Sequence, residues 1–210
     1  IDRQGKCSVI IPTTPSPATR YCHSGVLFED NERGPQMYIF AGKCGGRNSN
    51  RRLSDVYRFS LYTLEWHLCQ QLGTIPPPRS AHAAFTFGRS MIIFGGRNAS
   101  GECCEDIYDY SYDTSVWRQI NTVYGHLVGR ARHSVVLHNN TIVVFGGWNG
   151  KKKLNDMFFF NLETQTFDLI TEVNTHGAPS RRECHVAVTC KNTMVIFAGR
   201  FRGEFMNDTF

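Results

Sequence analysis

The chain has 210 residues, 41% hydrophobic and 20% charged, an ordinary balance for a folded globular chain that excludes intrinsic disorder. Basic residues outnumber acidic ones 23 to 18, a net charge of +5, too small an excess by itself to argue for nucleic acid, where a clustered basic stripe is expected. No apolar run approaches the ~20 residues of a membrane helix, and no basic region followed by an apolar stretch marks the N-terminus. Eight cysteines, none in a C-x-x-C pair, are too sparse for a disulfide scaffold or a zinc ribbon. They suit reduced thiols in a cytoplasmic setting. The first residue is Ile1 rather than methionine, so the chain is expected to be a piece of a longer one.

In chain order, Cys7 to Ile11 reads as a short β-run, the outer strand of a preceding unit, and a Pro/Thr/Ser linker carries it to residue 16. The chain then repeats itself. Units span residues 17–78, 79–129, 130–180 and an incomplete 181–210. The dipeptides Ala41-Gly42, Gly95-Gly96, Gly146-Gly147 and Ala198-Gly199 recur at intervals of 54, 51 and 52 residues. Each is preceded by Arg-x-x-His (Arg20/His23, Arg79/His82, Arg130/His133, Arg182/His185) and followed by an Asp (Asp55, Asp106, Asp156, Asp208). Two residues beyond each Asp is an aromatic ring: Tyr57, Tyr108, Phe158 and Phe210. Trp66, Trp117 and Phe167 complete the first three units and are expected to pack between neighbours.

The third unit shows the pattern within a repeat. His133 to Leu137 is a β-rich run, residues 138–140 turn, and Thr141 to Phe145 forms a second run apolar on both faces, closed by Gly146-Gly147. A polar loop leads to Met157–Phe160, residues 161–165 turn again, and Thr166 to Ile170 supplies a fourth strand. No segment sustains a 3.6-residue period. Four short antiparallel strands per ~50-residue unit describe the blade of an all-β propeller.

The glycine pair, spaced aromatic, Trp and preceding Arg-x-x-His resemble the kelch motif over nearly the whole chain. The resemblance is closer to the host-cell-factor and Rab-effector group than to the BTB-kelch adaptors. Departures are Ala41 and Ala198 for the first glycine, Phe167 for Trp, and an insert at Glu29–Pro35 in the first hairpin. The resemblance implies a kelch-type β-propeller, with these four blades part of a six- or seven-bladed ring and other blades or domains of the same full-length chain as partners. It also implies scaffold, adaptor or ubiquitin-ligase substrate-receptor roles.

The candidate chemistry is sparse. The four repeated histidines could suggest a ring of metal ligands, but ligands must converge to about 2 Å from the ion, so hydrogen bonding that holds blades together is the expected role. The repeated Asp is expected to form turns rather than act as a general base. Plant specifier proteins, which share this layout, hold iron through Glu, Asp and His at i, i+4 and i+8. Glu102 and Asp106 fit that spacing, but Tyr110 stands third. Cys22-His23 and Cys184-His185 alternate across a strand and are expected to be small buried thiols beside structural histidines. In Cys103-Cys104, Glu102 and Glu105 are expected to raise the thiol pKa. The glycosylation triplets at Asn98, Asn139 and Asn207 carry no weight without secretion. No cofactor or catalytic residue is expected.

The loops between second and third strands carry ten bases, Lys43, Arg47, Arg51, Arg52, Arg97, Lys151, Lys152, Lys153, Arg200 and Arg202, against Glu102, Glu105 and Glu204. The opposite hairpins hold Glu29, Asp30, Glu32, Asp113 and Glu163 against Arg33, Arg89 and Lys191. Trp148, Phe201, Tyr124 and His126 add aromatic surface to the basic side. The expected function is a non-catalytic interaction module holding an acidic protein segment through Arg47, Arg97, Trp148, Lys151, Lys152, Lys153, Arg200, Phe201 and Arg202. A metal-dependent kelch-fold enzyme and phosphate binding to nucleic acid are the alternatives.

Overall fold

The structure, a computed structural model, describes residues 9–45, 51–121, 128–170 and 177–210. Among these residues it is all strand and no helix, arranged as four blades of a β-propeller. Blade 1 comprises β1 (Ser24–Asp30), β2 (Gly34–Lys43), β3 (Arg52–Ser60) and β4 (Trp66–Leu68). The short β5 (Leu72–Gly73) and β6 (Arg79–Ser80) lead into blade 2, built from β7 (Ala83–Phe87), β8 (Ser90–Phe94), β10 (Ile107–Ser111) and β11 (Val116–Ile120), while the two-residue β9 (Arg97–Asn98) pairs with β6 at the end of blade 1's sheet. Blade 3 is β12 (Ser134–His138), β13 (Thr141–Trp148), β14 (Lys153–Asn161) and β15 (Thr166–Ile170). Blade 4 shows β16 (Val186–Cys190), β17 (Thr193–Phe201) and β18 (Glu204–Thr209).

Each blade is an antiparallel meander, as the strand–turn pattern predicts. The exception is β5, which pairs parallel with β11 over two residues, Leu72 with Val116 and Gly73 with Trp117. It belongs to the connection between blades 1 and 2, so the outer edge of blade 2 is covered by the chain arriving from its neighbour. Another expectation is corrected. The glycine pair does not end the second strand: a bulge between Phe145 and Gly147 lets β13 run on to Trp148, which pairs with Lys153. The Glu29–Pro35 insert lengthens the first hairpin, with Asp30 paired to Gly34 and Glu29 to Pro35. Of the expected outer strand at residues 7–11, the described part, Val9–Ile11, has no strand structure. The next residues dock instead on the edge of blade 1, where the Thr13 amide donates to the Leu64 carbonyl at 2.9 Å.

The buried second strands follow from composition. Met91–Phe94 and Ile142–Phe145 are apolar on both faces because each blade is covered on both sides. One core lies between blades 1 and 2, where Val26, Phe28, Tyr38 and Phe40 meet Met91, Ile93, Tyr110 and Trp117. A second lies between blades 2 and 3, where Ile92, Phe94 and Ile107 meet Ile142, Val144, Phe158 and Phe160. Trp117 is 1% exposed, sits 5.0 Å from the Phe40 ring of blade 1, and donates its indole N–H to Gln71 Oε1 at 2.8 Å. Phe167 packs against Phe160 at 4.4 Å and joins the second core partly buried. Trp66 differs: it stacks on Phe59 of its own blade at 4.9 Å and is only half-buried.

One motif staples blade to blade. Arg130 bonds through its backbone to blade 2, accepting from Gly96 N at 2.8 Å and donating to the Cys104 carbonyl at 3.1 Å. Its side chain reaches into blade 3, donating to the Gly146 carbonyl at 3.0 Å and to both Asp156 oxygens at 2.8 Å, with the guanidinium 4.9 Å from the Phe158 ring. Arg20 with Asp55, Arg79 with Asp106 and Arg182 with Asp208 repeat the side-chain pattern. The repeated Asp is therefore the partner of a buried arginine, not a turn former. The residue two positions after Arg takes a left-handed conformation in every repeat, Cys22, Ala81, Arg132 and Cys184 having φ of 54, 57, 59 and 59°. These residues are linked in series, Ala81 N to Cys22 O at 2.8 Å, Arg132 N to Ala81 O at 2.9 Å and Cys184 N to Arg132 O at 2.9 Å.

Replacing Trp117 with Ala should cost about 3–5 kcal/mol of stability, the range for truncating a buried Trp. Trp66→Ala should cost clearly less, since half of what the ring would lose is already exposed. Urea unfolding of both variants checks the ranking.

Candidate functional site

Three of the repeated histidines sit between blades. His82, His133 and His185 are buried, each edge-on to the phenylalanine before the preceding blade's glycine pair: Phe40, Phe94 and Phe145, at 5.2, 4.9 and 5.3 Å. The base of each histidine also packs on the second glycine of its own repeat's pair. A Cβ on Gly147 would lie 2.8 Å from the His133 Cβ, and its φ of +93° is one that side-chain-bearing residues rarely adopt. His82 Nε2 meets Ser24 Oγ at 2.7 Å and His185 Nε2 meets Ser134 Oγ at 2.8 Å. His133 has no such partner on either nitrogen, because Ala83 stands where blades 1 and 3 have serine. His23 is exposed. Among the described residues no group of three or more His, Cys, Asp or Glu could hold a metal ion.

Burial, reinforced by the adjacent Arg of each motif, drives the histidine pKa values down: His82 to about 3, His185 to about 4, and His133 well below its ordinary value. The thiols give a different picture from the sequence expectation. Cys22 and Cys184 are exposed rather than buried. The Cys103 and Cys104 thiols are pushed up chiefly by burial, and Glu102 contributes only a smaller part at Cys104.

The basic face is built by the residue that follows each glycine pair. Lys43, Arg97, Trp148 and Arg200 are equivalent, and each is bridged by backbone pairing to the residue after the motif arginine: Tyr21, Ser80, Ala131 and Glu183. Lys43, Trp148 and Arg200 lie on second strands extended past the glycine pair, whereas Arg97 opens the separate β9. Arg97 reaches across to blade 3, its guanidinium 5.0 Å from the Trp148 ring, while its Nε donates to the Gly101 carbonyl at 2.7 Å. Cys103 lies beneath, its Sγ 3.3 Å from the Trp148 carbonyl oxygen. Arg52 is buried and bonds Ser80 Oγ at 3.2 Å; burial, and then Arg97, push its pKa down.

The expected site residues divide. Lys151 and Lys152 are exposed on a tight turn held by Asn149 Oδ1, which accepts from both backbone amides at 3.0 and 2.8 Å. Arg200 and Arg202 are exposed, with Arg202 over the Phe201 ring at 5.2 Å. Lys153 is not part of this free charge: it starts β14 and pairs with Glu183 at 3.4 Å. Arg47, Tyr124 and His126 lie outside the described residues.

Sequence reasoning missed Glu183 and Arg132. Glu183 is 5% exposed and accepts from Arg132 Nη1 at 3.0 Å. Burial opposes the Arg132 charge, but the Glu183 hydrogen bond and charge outweigh it and raise the arginine pKa. Both residues occupy the variable positions of Arg-x-x-His, and their common place in the motif was the available signal.

Stacked antiparallel blades, glycine-pair bulges and Arg-x-x-His staples define a propeller of the kelch type. The chain belongs to the kelch-repeat family: the family model described as the KLHDC2/KLHL20/DRC7 Kelch-repeats domain matches residues 3–122 and 32–210. It is 30% identical over 193 residues to Kelch domain-containing protein 3 of Rattus norvegicus, covering 87% of this chain and 48% of that protein. It is 28% identical over 200 residues to the Leucine-zipper-like transcriptional regulator 1 homolog of Drosophila melanogaster, covering 92% of this chain and 19% of the relative. Host cell factor 2 of Homo sapiens matches at 30% over 165 residues, 68% of this chain and 20% of that protein. The chain thus spans less than half the length of each of these relatives.

The buried histidines give the protein an acid-side instability. Below about pH 6.5 an unfolded chain takes up protons at these rings while the folded chain does not, so stability falls as pH falls, by up to about 1.4 kcal/mol per pH unit per ring. The loss should level off near pH 4 for His185 and nearer pH 3 for His82. Urea unfolding from pH 7 to 4.5 measures the slope. Ala83→Ser should supply the missing partner of His133 and raise stability by about 1 kcal/mol.

Proposed function

We propose that the chain is a non-catalytic interaction module that holds an acidic segment of a partner protein across its basic face. The reading rests on one observation above all: Lys151, Lys152, Arg200 and Arg202 are exposed and make no ion pair among the described residues, whereas the arginines that hold the blades together are buried in carboxylate forks. Charge not needed for the fold is concentrated on the side that also carries the Arg97–Trp148 stack. Arginine and tryptophan are enriched among residues that dominate binding energy, and the surrounding charges mainly set encounter rate and salt sensitivity. Family membership supports protein recognition as the general role, and the acidic chemistry of the partner comes from this face.

Reversing Lys151 and Lys152 to Glu should slow association with a glutamate-rich peptide and flatten its salt dependence. Trp148→Ala should chiefly speed dissociation. Lys153 is left intact because of its pairing with Glu183. Stopped-flow rates at low and physiological salt, with a glutamine-substituted peptide as the uncharged control, check both. Rates equal to wild type in both variants would move the binding surface elsewhere.

A further inference from the structure

A cavity of about 340 Å³ opens between blades 2 and 3, away from the basic face. Its apolar part is formed by Ile92, Ile120 and Leu162, which border the core shared by these blades. Into this lining β10 delivers a carboxylate. Asp109 lies in register between Ile92 of β8 and Arg118 of β11, on the same side of its strand as the buried Ile107. Its Oδ1 is buried and has no hydrogen-bond partner. An acceptor left in that state is destabilising, the more so when charged, and native proteins rarely keep one without a reason.

The equivalent positions in the other blades show what a purely structural solution looks like. Blade 1 has Arg58 there, and it is satisfied by Gln36 Oε1 at 3.2 Å. Blade 3 has Phe159, which raises no polar demand. In blade 2 the obvious internal partner, Arg118, stands directly across the ladder yet forms no ion pair with Asp109 and remains exposed at the cavity wall. The buried Asp109 oxygen is thus left without a cation of its own while Arg118 stays at the rim.

We propose that this cavity binds a guanidinium or ammonium group on an alkyl stem, with Asp109 Oδ1 accepting from the cationic head. The chemistry fits each wall. The charge meets a carboxylate in a low-dielectric setting, where a charge-assisted hydrogen bond is roughly twice as strong as a neutral one. The methylene stem lies along Ile92, Ile120 and Leu162, as lysine and arginine stems do on apolar surfaces. The Gln165 amide, also on the lining, can accept a further N–H. The head group could belong to a free diamine or to a basic side chain of a partner, and the two sources share this chemistry.

Titration calorimetry with agmatine, and separately with a short peptide bearing one central arginine between alanines, tests the proposal. Saturable binding of either probe is expected, weakened at least tenfold in Asp109→Asn and tightened in Arg118→Ala, which removes the competing cation. Agmatine binding without peptide binding assigns a free amine, and the reverse assigns a partner side chain. Asp109→Asn should leave unfolding free energy unchanged or raise it, since it removes an unsatisfied charge. No saturable binding of either probe up to about 10 mM, where free energies fall below about 3 kcal/mol, would overturn the proposal. So would equal affinity in Asp109→Asn, or a marked loss of stability in that variant, which would make the carboxylate a structural group.

Discussion

The arginine fork is the constraint on which the rest of the molecule depends. Arg79, Arg130 and Arg182 are at most 1% exposed, so every donor on each guanidinium must find an acceptor inside the protein. A buried ion pair is weak evidence of stability by itself, because desolvation offsets most of the attraction. What it does supply is geometry. A planar fork satisfied by a carboxylate, a glycine-pair carbonyl and an aromatic face fits one placement of the entering strand against the blade. Because the backbone of the same arginine is bonded to the preceding blade, that placement fixes neighbouring blades relative to each other as well. The histidine–phenylalanine contact and the inter-blade cores then pack into a frame already set.

This division of labour leaves part of the charge outside the frame. The fold consumes its arginines at the motif position and its aromatic rings in the inter-blade cores, and the turn residues Lys151, Lys152 and Arg202 are left exposed. Where a turn residue is drawn into the frame, as Lys153 is by Glu183, it stops contributing to the exposed charge. The exposed basic charge is therefore smaller than a count of loop lysines and arginines suggests, with the Arg97 guanidinium over the Trp148 ring beside it.

The blades were legible in the sequence because their determinants are local and periodic. A glycine pair, an aromatic two residues past an Asp, and an apolar double-faced run each answer to the backbone in which they sit. What escaped were relationships between distant positions. The role of Asp156 depends on Arg130, 26 residues earlier, so a turn-forming reading fitted its neighbours equally well. The exposure of Cys22 and Cys184 follows from a left-handed backbone that propensity does not foretell for cysteine. Trp66 matches the motif as well as Trp117 does, and only the neighbouring surface separates a half-buried ring from a buried one. On the candidate face, Trp148 and Lys151–Lys152 were visible as loop chemistry, but Glu183 and Arg132 were hidden inside a motif read as purely structural. Asp109 gave no signal, since one carboxylate in a strand is ordinary until its partners are known.

The serial hydrogen bonds joining Cys22, Ala81, Arg132 and Cys184 have an electrical consequence. Each runs from one blade to the one before it, so the peptide dipoles at this rim lie along the path from blade to blade rather than along the propeller axis. Head-to-tail dipoles of that kind form a circulating pattern with little component through the opening, unlike a helix, whose aligned dipoles leave a partial charge at each end. The backbone along this row therefore ends in no concentrated partial charge, and local charge beside it comes from side chains. In this protein the four linked positions carry two thiols, a methyl group and the Arg132 guanidinium, whose charge is met at once by the buried Glu183 carboxylate.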